Sequence, residues 1–320
     1  MRLDSSSYEA TNALIWSGRL DSQKSERYFQ LIKIIDLTKE QINPKYKLAI
    51  LGFCSDDGIK RNQGRIGASK GPNAIRRSLA NLCIQKNKPQ YILDLGNIIC
   101  KKWELEYMQK ILSNIVAKLL KKGIKPLLFG GGHEIAWGHY QGIKIVYPQK
   151  KLGIINFDSH FDLRILSESV WSTSGTAFYQ IFKDNELNFN YQVIGLQPTS
   201  NTKTLFSTAK KLGVRILLAE HVYSKTKNKL TKYLDYFIKN IDIIYVTFCL
   251  DVFGSAFAPG VSAPQPFGLL PNQAMFLLRH ILKSKKVICM DIAELSPKFD
   301  ENKKTANLAA HLAWEFLEHN

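Results

Sequence analysis

From residue 47 onward the chain alternates short apolar runs with longer amphipathic ones, and this alternation admits very few folds. The apolar runs at 47–54, 91–95, 126–129, 152–157, 191–196, 214–218, 243–248 and 287–292 have the length of buried strands. Between most of them lie stretches with helical spacing, at about 73–82, 104–121, 228–240 and 271–283, with further helices after Glu134 and beginning near residues 175–177; another closes the chain at 305–318. Strands separated by helices build βαβ units, so the expected fold is α/β, one three-layer αβα domain around a parallel sheet. No repeat or linker divides the 320 residues; residues 1–45 read as a polar extension packed on that domain, with a helix over 25–35.

Composition narrows the class of protein. Hydrophobic residues make up 45% and charged residues 22%, the balance of a soluble globular chain. There is no apolar run of about 20 residues and no apolar signal core after Met1, so neither a membrane span nor secretion is expected. Five cysteines without paired spacing suit free thiols in a cytoplasmic protein. The net charge of +17 comes from scattered clusters such as Lys225 to Lys229 and Lys283 to Lys286. No basic stripe with interleaved aromatics is present, which points to a solvated surface rather than a nucleic-acid track. A small anionic substrate is compatible with that charge.

In an open parallel sheet ligands bind beyond the carboxyl ends of the strands. Metal-type donors gather at four of those ends. His133 follows the strand at 126–129, within Gly130-Gly131-Gly132-His133-Glu134. Asp158, His160 and Asp162 follow 152–157, and alternation in extended chain would turn all three to one side. Cys249 and Asp251 follow 243–248, and Glu294 follows the last strand. Carboxylates and imidazoles are donors for a divalent ion such as Mn2+. The remaining histidines, His139, His221, His280, His311 and His319, lack such company and read as surface or internally satisfied residues.

Gly131-Gly132-His133-Glu134, Asp158-x-His160-x-Asp162 and the segment ending in Asp251 resemble the three metal motifs of the arginase/agmatinase ureohydrolases. Further stretches resemble the formimidoylglutamase branch of that family: Trp16-x-Gly18-Arg19-x-Asp21, Arg61-Asn62-x-Gly64-Arg65-x-Gly67-Ala68, His160-Phe161-Asp162-Leu163-Arg164, Ser174-Gly175-Thr176, Ala258-Pro259-Gly260-Val261-Ser262-Ala263-Pro264 and Asp291-Ile292-Ala293-Glu294. The resemblance implies an arginase-like sheet and a two-manganese site. One ion would be held by His133, Asp158, Asp162 and Cys249, the other by Asp158, His160, Cys249 and Asp251. Asp162 would orient the attacking water and shuttle its proton, and Glu294 would hold the cationic amidine. Arg164, with Ser174 and Thr176, would read a substrate carboxylate, because arginase-like relatives carry Asn in place of Arg164. The implied reaction is hydrolysis of N-formimidoyl-L-glutamate, a small acidic amidine of histidine breakdown, by a homo-oligomer. Cys249 departs from the family's Asp. Its softer sulfur opens Zn2+ or Fe2+ as alternatives to Mn2+ and leaves open a non-catalytic member with a degenerate site; among enzymes, the alternative is a ureohydrolase acting on another guanidino substrate.

Overall fold

A computed structural model describes residues 3–100, 104–166 and 172–320. The strands, in chain order, are β1 (Tyr8–Glu9), β2 (Ile32–Ile34), β3 (Leu48–Cys54), β4 (Ile92–Ile99), β5 (Lys125–Gly130), β6 (Leu152–Phe157), β7 (Asn190–Leu196), β8 (Arg215–Leu218), β9 (Ile243–Cys249) and β10 (Val287–Ala293). The helices are α1 (Asp57–Arg61), α2 (Gly71–Ala80), α3 (Leu105–Lys121), α4 (Ile135–Val146), α5 (Ala177–Asp184), α6 (Lys203–Lys211), α7 (Ala219–Ser224), α8 (Lys227–Lys239), α9 (Pro271–Lys283) and α10 (Lys304–His319).

The strands form one sheet in the order β1-β4-β3-β5-β10-β9-β6-β7-β8, with β2 also on β4. All described pairings are parallel except β1 with β4. The central strands are apolar on both faces, as parallel strands covered on two sides must be. One face packs on residues of α2, α8, α9 and α10, the other on residues of α3, α4 and α5. This is the three-layer α/β architecture expected from the alternation.

The N-terminal region differs from expectation. Residues 25–35 do not form a helix: after a short 3-10 turn at Tyr28–Gln30 they form β2, and Ile32 pairs with Ile92. The pairing partner lies 60 residues ahead in the chain, and its backbone bonds outweigh a local helical preference. Trp16 is a structural residue too. Its Nε1 donates to Asp94 Oδ2 at 2.6 Å, where Asp94 also binds the fully buried Arg76.

Strands β5 and β6 are consecutive in sequence, yet β10 and β9 lie between them in the sheet. The chain switches direction across the sheet here, and the crevice above such a point is where an α/β protein binds its ligand.

Candidate metal centre

All four donor-bearing strand ends open into this crevice. β5 runs out at Gly130 and turns through Gly131 and Gly132 into α4. A Cβ at Gly131 would lie 1.8 Å from Ser55 O, so only glycine allows the turn to press against the end of β3. The turn is braced from β10. Glu294 N donates to Gly131 O at 2.8 Å, and His133 N donates to Glu294 Oε1 at 3.0 Å.

His133 Nδ1 lies 3.0 Å from Asp158 Oδ2 and 2.9 Å from Asp162 Oδ2. His160 Nδ1 lies 3.4 Å from Asp158 Oδ1 and 3.1 Å from Asp251 Oδ2. Donor atoms of His133, Asp158 and Cys249 fall within 4.8 Å of one another, as do those of Asp158, His160 and Asp251. Asp158 is common to both groups. Cys249 is buried and faces the cavity rather than the core.

The convergence does not come from strand alternation. β6 ends at Phe157, and Asp158 to Asp162 form a loop. His160 N donates to Asp158 Oδ1 at 2.7 Å, folding the loop on itself. Asp162 then reaches the site through a left-handed backbone, φ 48°, and Glu294 has φ 75°. Non-glycine residues in this region cost about 1–3 kcal/mol each, strain of a kind that gathers at functional sites. Asp251 follows β9 in a 3-10 turn, and Ser159 N and Oγ pin that turn at Asp251 Oδ1 (3.4 Å) and Asp251 O (2.9 Å).

Asp158, Asp162, Cys249, Asp251 and Glu294 share one buried space with two imidazoles. Burial, and then the charge of Asp158, lifts Asp162 to about 6. Burial lifts Glu294 to about 8, although Ser262 Oγ donates to its Oε2. Burial also raises Asp251 and pushes the Cys249 thiol well above its ordinary value. Burial opposes protonation of His133 and His160, but the surrounding carboxylates outweigh it and hold both well above the usual imidazole range. Acidic groups and imidazoles are thus crowded so closely that protons are retained on several of them. Divalent cations could replace those protons, and the N, O and S donors present fit such ions.

Above these groups is a cavity of about 200 Å3, walled in part by Asn62, Arg164, Ser174, Ser200, Asn201 and Ser262. Arg164 is exposed, with its backbone N donating to Gly175 O at 3.0 Å. Asn62 Nδ2 donates to Ser174 Oγ at 3.2 Å. A Cβ at Gly175 would lie 3.0 Å from Arg164 Cδ and 3.2 Å from Asn62 Nδ2, so glycine leaves room for both side chains. Thr176 is not brought to the cavity wall. Its Oγ1 accepts from Thr173 N at 2.9 Å and closes the turn instead.

Sequence reasoning assigned no role to Asn62, Ser262, Ser200 or Asn201. The first two lie inside quoted motifs and were open to notice. The last two sit after β7 with no pattern to mark them. Arg61 and Arg65 prove to be braces: Arg61 Nη1 pairs with Glu106 Oε1 at 2.5 Å, and Arg65 donates to Ser262 O (3.1 Å) and Val261 O (2.7 Å). Of the five unassigned histidines, His139 is fully buried with Nδ1 on Asp291 Oδ2 at 2.7 Å, and His280, His311 and His319 have partners nearer the surface.

The sequence profile of the Arginase family matches residues 46–318. The chain belongs to that family. It is 47% identical to the formimidoylglutamase of Legionella pneumophila over 99% of both chains, and 43% identical to that of Clostridium tetani over 97% of this chain and 96% of the other. Among solved structures it resembles Bacillus subtilis formimidoylglutamase (TM-score 0.82, 22% identity, 94% of each chain). It also resembles Trypanosoma cruzi formiminoglutamase with Mn2+ (TM-score 0.81, 24% identity, 92% of this chain and 98% of that one).

Proposed function

We propose that this chain is an enzyme that hydrolyses N-formimidoyl-L-glutamate to L-glutamate and formamide, the activity its 47%-identical relative is named for. The carrying observation is that Arg164, Asn62 and Ser174 wall the same cavity as the metal donors. A guanidinium fork offers paired donors to a carboxylate, and agmatine-like substrates have no carboxylate to use it.

His133, Asp158, Asp162 and Cys249 would hold one ion, and Asp158, His160, Cys249 and Asp251 the other, with Mn2+ favoured by the oxygen and nitrogen donors. When bound, the metal pair makes water nucleophilic at neutral pH. The protein's own groups do the rest. Glu294, with its carboxyl raised by burial, gains a counter-charge when the amidinium arrives and binds it in the ionised form. Asp162 would accept the proton of the attacking water and return it to the departing nitrogen. The bond broken joins the formimidoyl carbon to the glutamate nitrogen; the water oxygen leaves in formamide. Arg164 fixes the glutamate end, so that the amidine carbon stays over the donors.

The test is product analysis on a substrate panel with wild type and Arg164→Ala. Formamide release from formimidoyl-glutamate is expected, and Arg164→Ala should lower kcat/KM for it by ~10-fold or more while leaving metal content unchanged. Urea release from a guanidino substrate, or no turnover after metal reconstitution, would replace this reading with a ureohydrolase or a non-catalytic relative.

A further inference from the structure

Behind His133, on the side away from the carboxylates, a chain of fully buried polar side chains runs down the face of the sheet under α4. His133 Nε2 lies 2.9 Å from Thr247 Oγ1. Thr247 donates in turn to Asp291 Oδ1. Asp291 Oδ2 receives two further donors, the Tyr245 hydroxyl and His139 Nδ1, the latter at 2.7 Å. Thr247, Asp291, Tyr245 and His139 are all 0% exposed. The backbone sets this alignment, because Asp291 on β10 pairs directly with Thr247 on β9, and Tyr245 lies two residues back on the same face of β9.

A hydroxyl carries one proton, and a carboxylate only accepts. Thr247 spends its proton on Asp291, so toward His133 it can only accept. The hydrogen on the far side of His133 must then sit on Nε2, and Nδ1, the atom among the metal-type donors, is the one whose lone pair becomes available. We infer that Thr247 and Asp291 are positioning residues that fix the proton of His133 on Nε2 and thereby assign its Nδ1 to the metal, with His139 and Tyr245 holding Asp291 in place. This rests on the metal-site reading given above and adds to it the groups that make His133 a ligand through one nitrogen only. A carboxylate behind a ligating imidazole also strengthens the imidazole as a donor.

The experiment uses the full-length protein, stripped and then titrated with Mn2+ while free Mn2+ is followed by its electron paramagnetic resonance signal. Thr247→Val keeps the shape of the side chain and removes the acceptor; Thr247→Ser keeps the acceptor. Thr247→Val should weaken the ion held by His133 by ~10–100-fold and leave the ion held through His160 and Asp251 unchanged, with Thr247→Ser close to wild type. In wild-type protein loaded with diamagnetic Zn2+, long-range 1H–15N correlation of His133 should show a proton on Nε2 and none on Nδ1, a readout that needs no variant to fold. The inference is overturned by Thr247→Val that binds both ions like wild type, by a loss that Thr247→Ser does not restore, or by an unprotonated Nε2 in wild type. Wild type that takes up no ion would overturn the metal-site reading first, and this inference with it.

Discussion

The ion pair of Arg76 and Asp94 gives the clearest energetic forecast. Both side chains are fully buried. Arg76 donates from Nε and Nη2 to the two oxygens of Asp94, each at 2.9 Å, and from Nη1 and Nη2 to Asn97 Oδ1 (2.7 Å) and Gly96 O (2.8 Å). Trp16 supplies a further donor to the same carboxylate. Asp94→Ala leaves a guanidinium without counter-charge, a loss of ~3–5 kcal/mol, and strands the Trp16 N–H at a further cost of ~1–3 kcal/mol. Against a total stability of about 5–15 kcal/mol, this variant should be unfolded or nearly so at 25 °C. Trp16→Phe is the graded form of the experiment. It retains most of the apolar contact and deletes one hydrogen bond to a charged acceptor, which should cost ~1.5–3 kcal/mol. Urea unfolding of the metal-free proteins, followed by far-UV circular dichroism, separates these effects from metal linkage. Manganese affinity of Trp16→Phe should match wild type, because Trp16 lies outside the cavity wall. A Trp16→Phe stability within about 0.5 kcal/mol of wild type, or a well-folded Asp94→Ala, would refute the reasoning.

Three other perturbations address the site. Asp158→Ala and His160→Ala should each abolish turnover and lower metal content, read by metal analysis of the purified protein; full activity in either removes the two-metal proposal. Cys249→Asp exchanges a soft donor for a hard one at equal charge and should raise Mn2+ affinity relative to Zn2+, while Cys249→Ser should bind either ion less well than wild type, both measured by competition titration. Glu134 is buried, accepts from Gly58 N at 3.2 Å and is raised to about 7 from 4.5, chiefly by burial. Its folded-state pKa is the higher one, so its contribution is fully present below about pH 4.5 and lost as pH rises to about 7; relative to Glu134→Gln, the metal-free protein should lose roughly 3 kcal/mol across that window in urea titrations.

The parts of this molecule that the sequence made legible are those in which pattern and position coincide. A buried parallel strand is an uninterrupted apolar run, and the polar groups that gather here lie at its end or within five residues beyond, so the positions of His133, Asp158, His160, Asp162, Cys249, Asp251 and Glu294 could be read from strand ends. What was illegible depends on pairing across long distances. Ile32 to Ile34 form a strand only because Ile92 to Asp94 are there to receive them. α6 went unseen because Ala209 is its only fully buried residue, which leaves little apolar stripe to detect, although Thr202 caps it at Leu205 N. Ser200 and Asn201 reach the cavity from a loop whose path is set by β7 and not by its own residues.

The same distinction explains why the site exists at all. Each donor-bearing strand end holds only one to three donors, too few to hold two ions. They become one site because the sheet places β10 and β9 between β5 and β6, so that ends separated by as many as 161 residues, as His133 and Glu294 are, meet at hydrogen-bond distance. The polar chain from Thr247 to His139 depends on the same order, since it needs β9 beside β10 and α4 above them. A substitution that disturbed the β9–β10 register by one residue would turn Thr247 away from His133 and Asp291 together. Sheet order therefore brings the donor groups together and sets their hydrogen-bond partners, and the motifs are the portion of that order that a linear sequence can display.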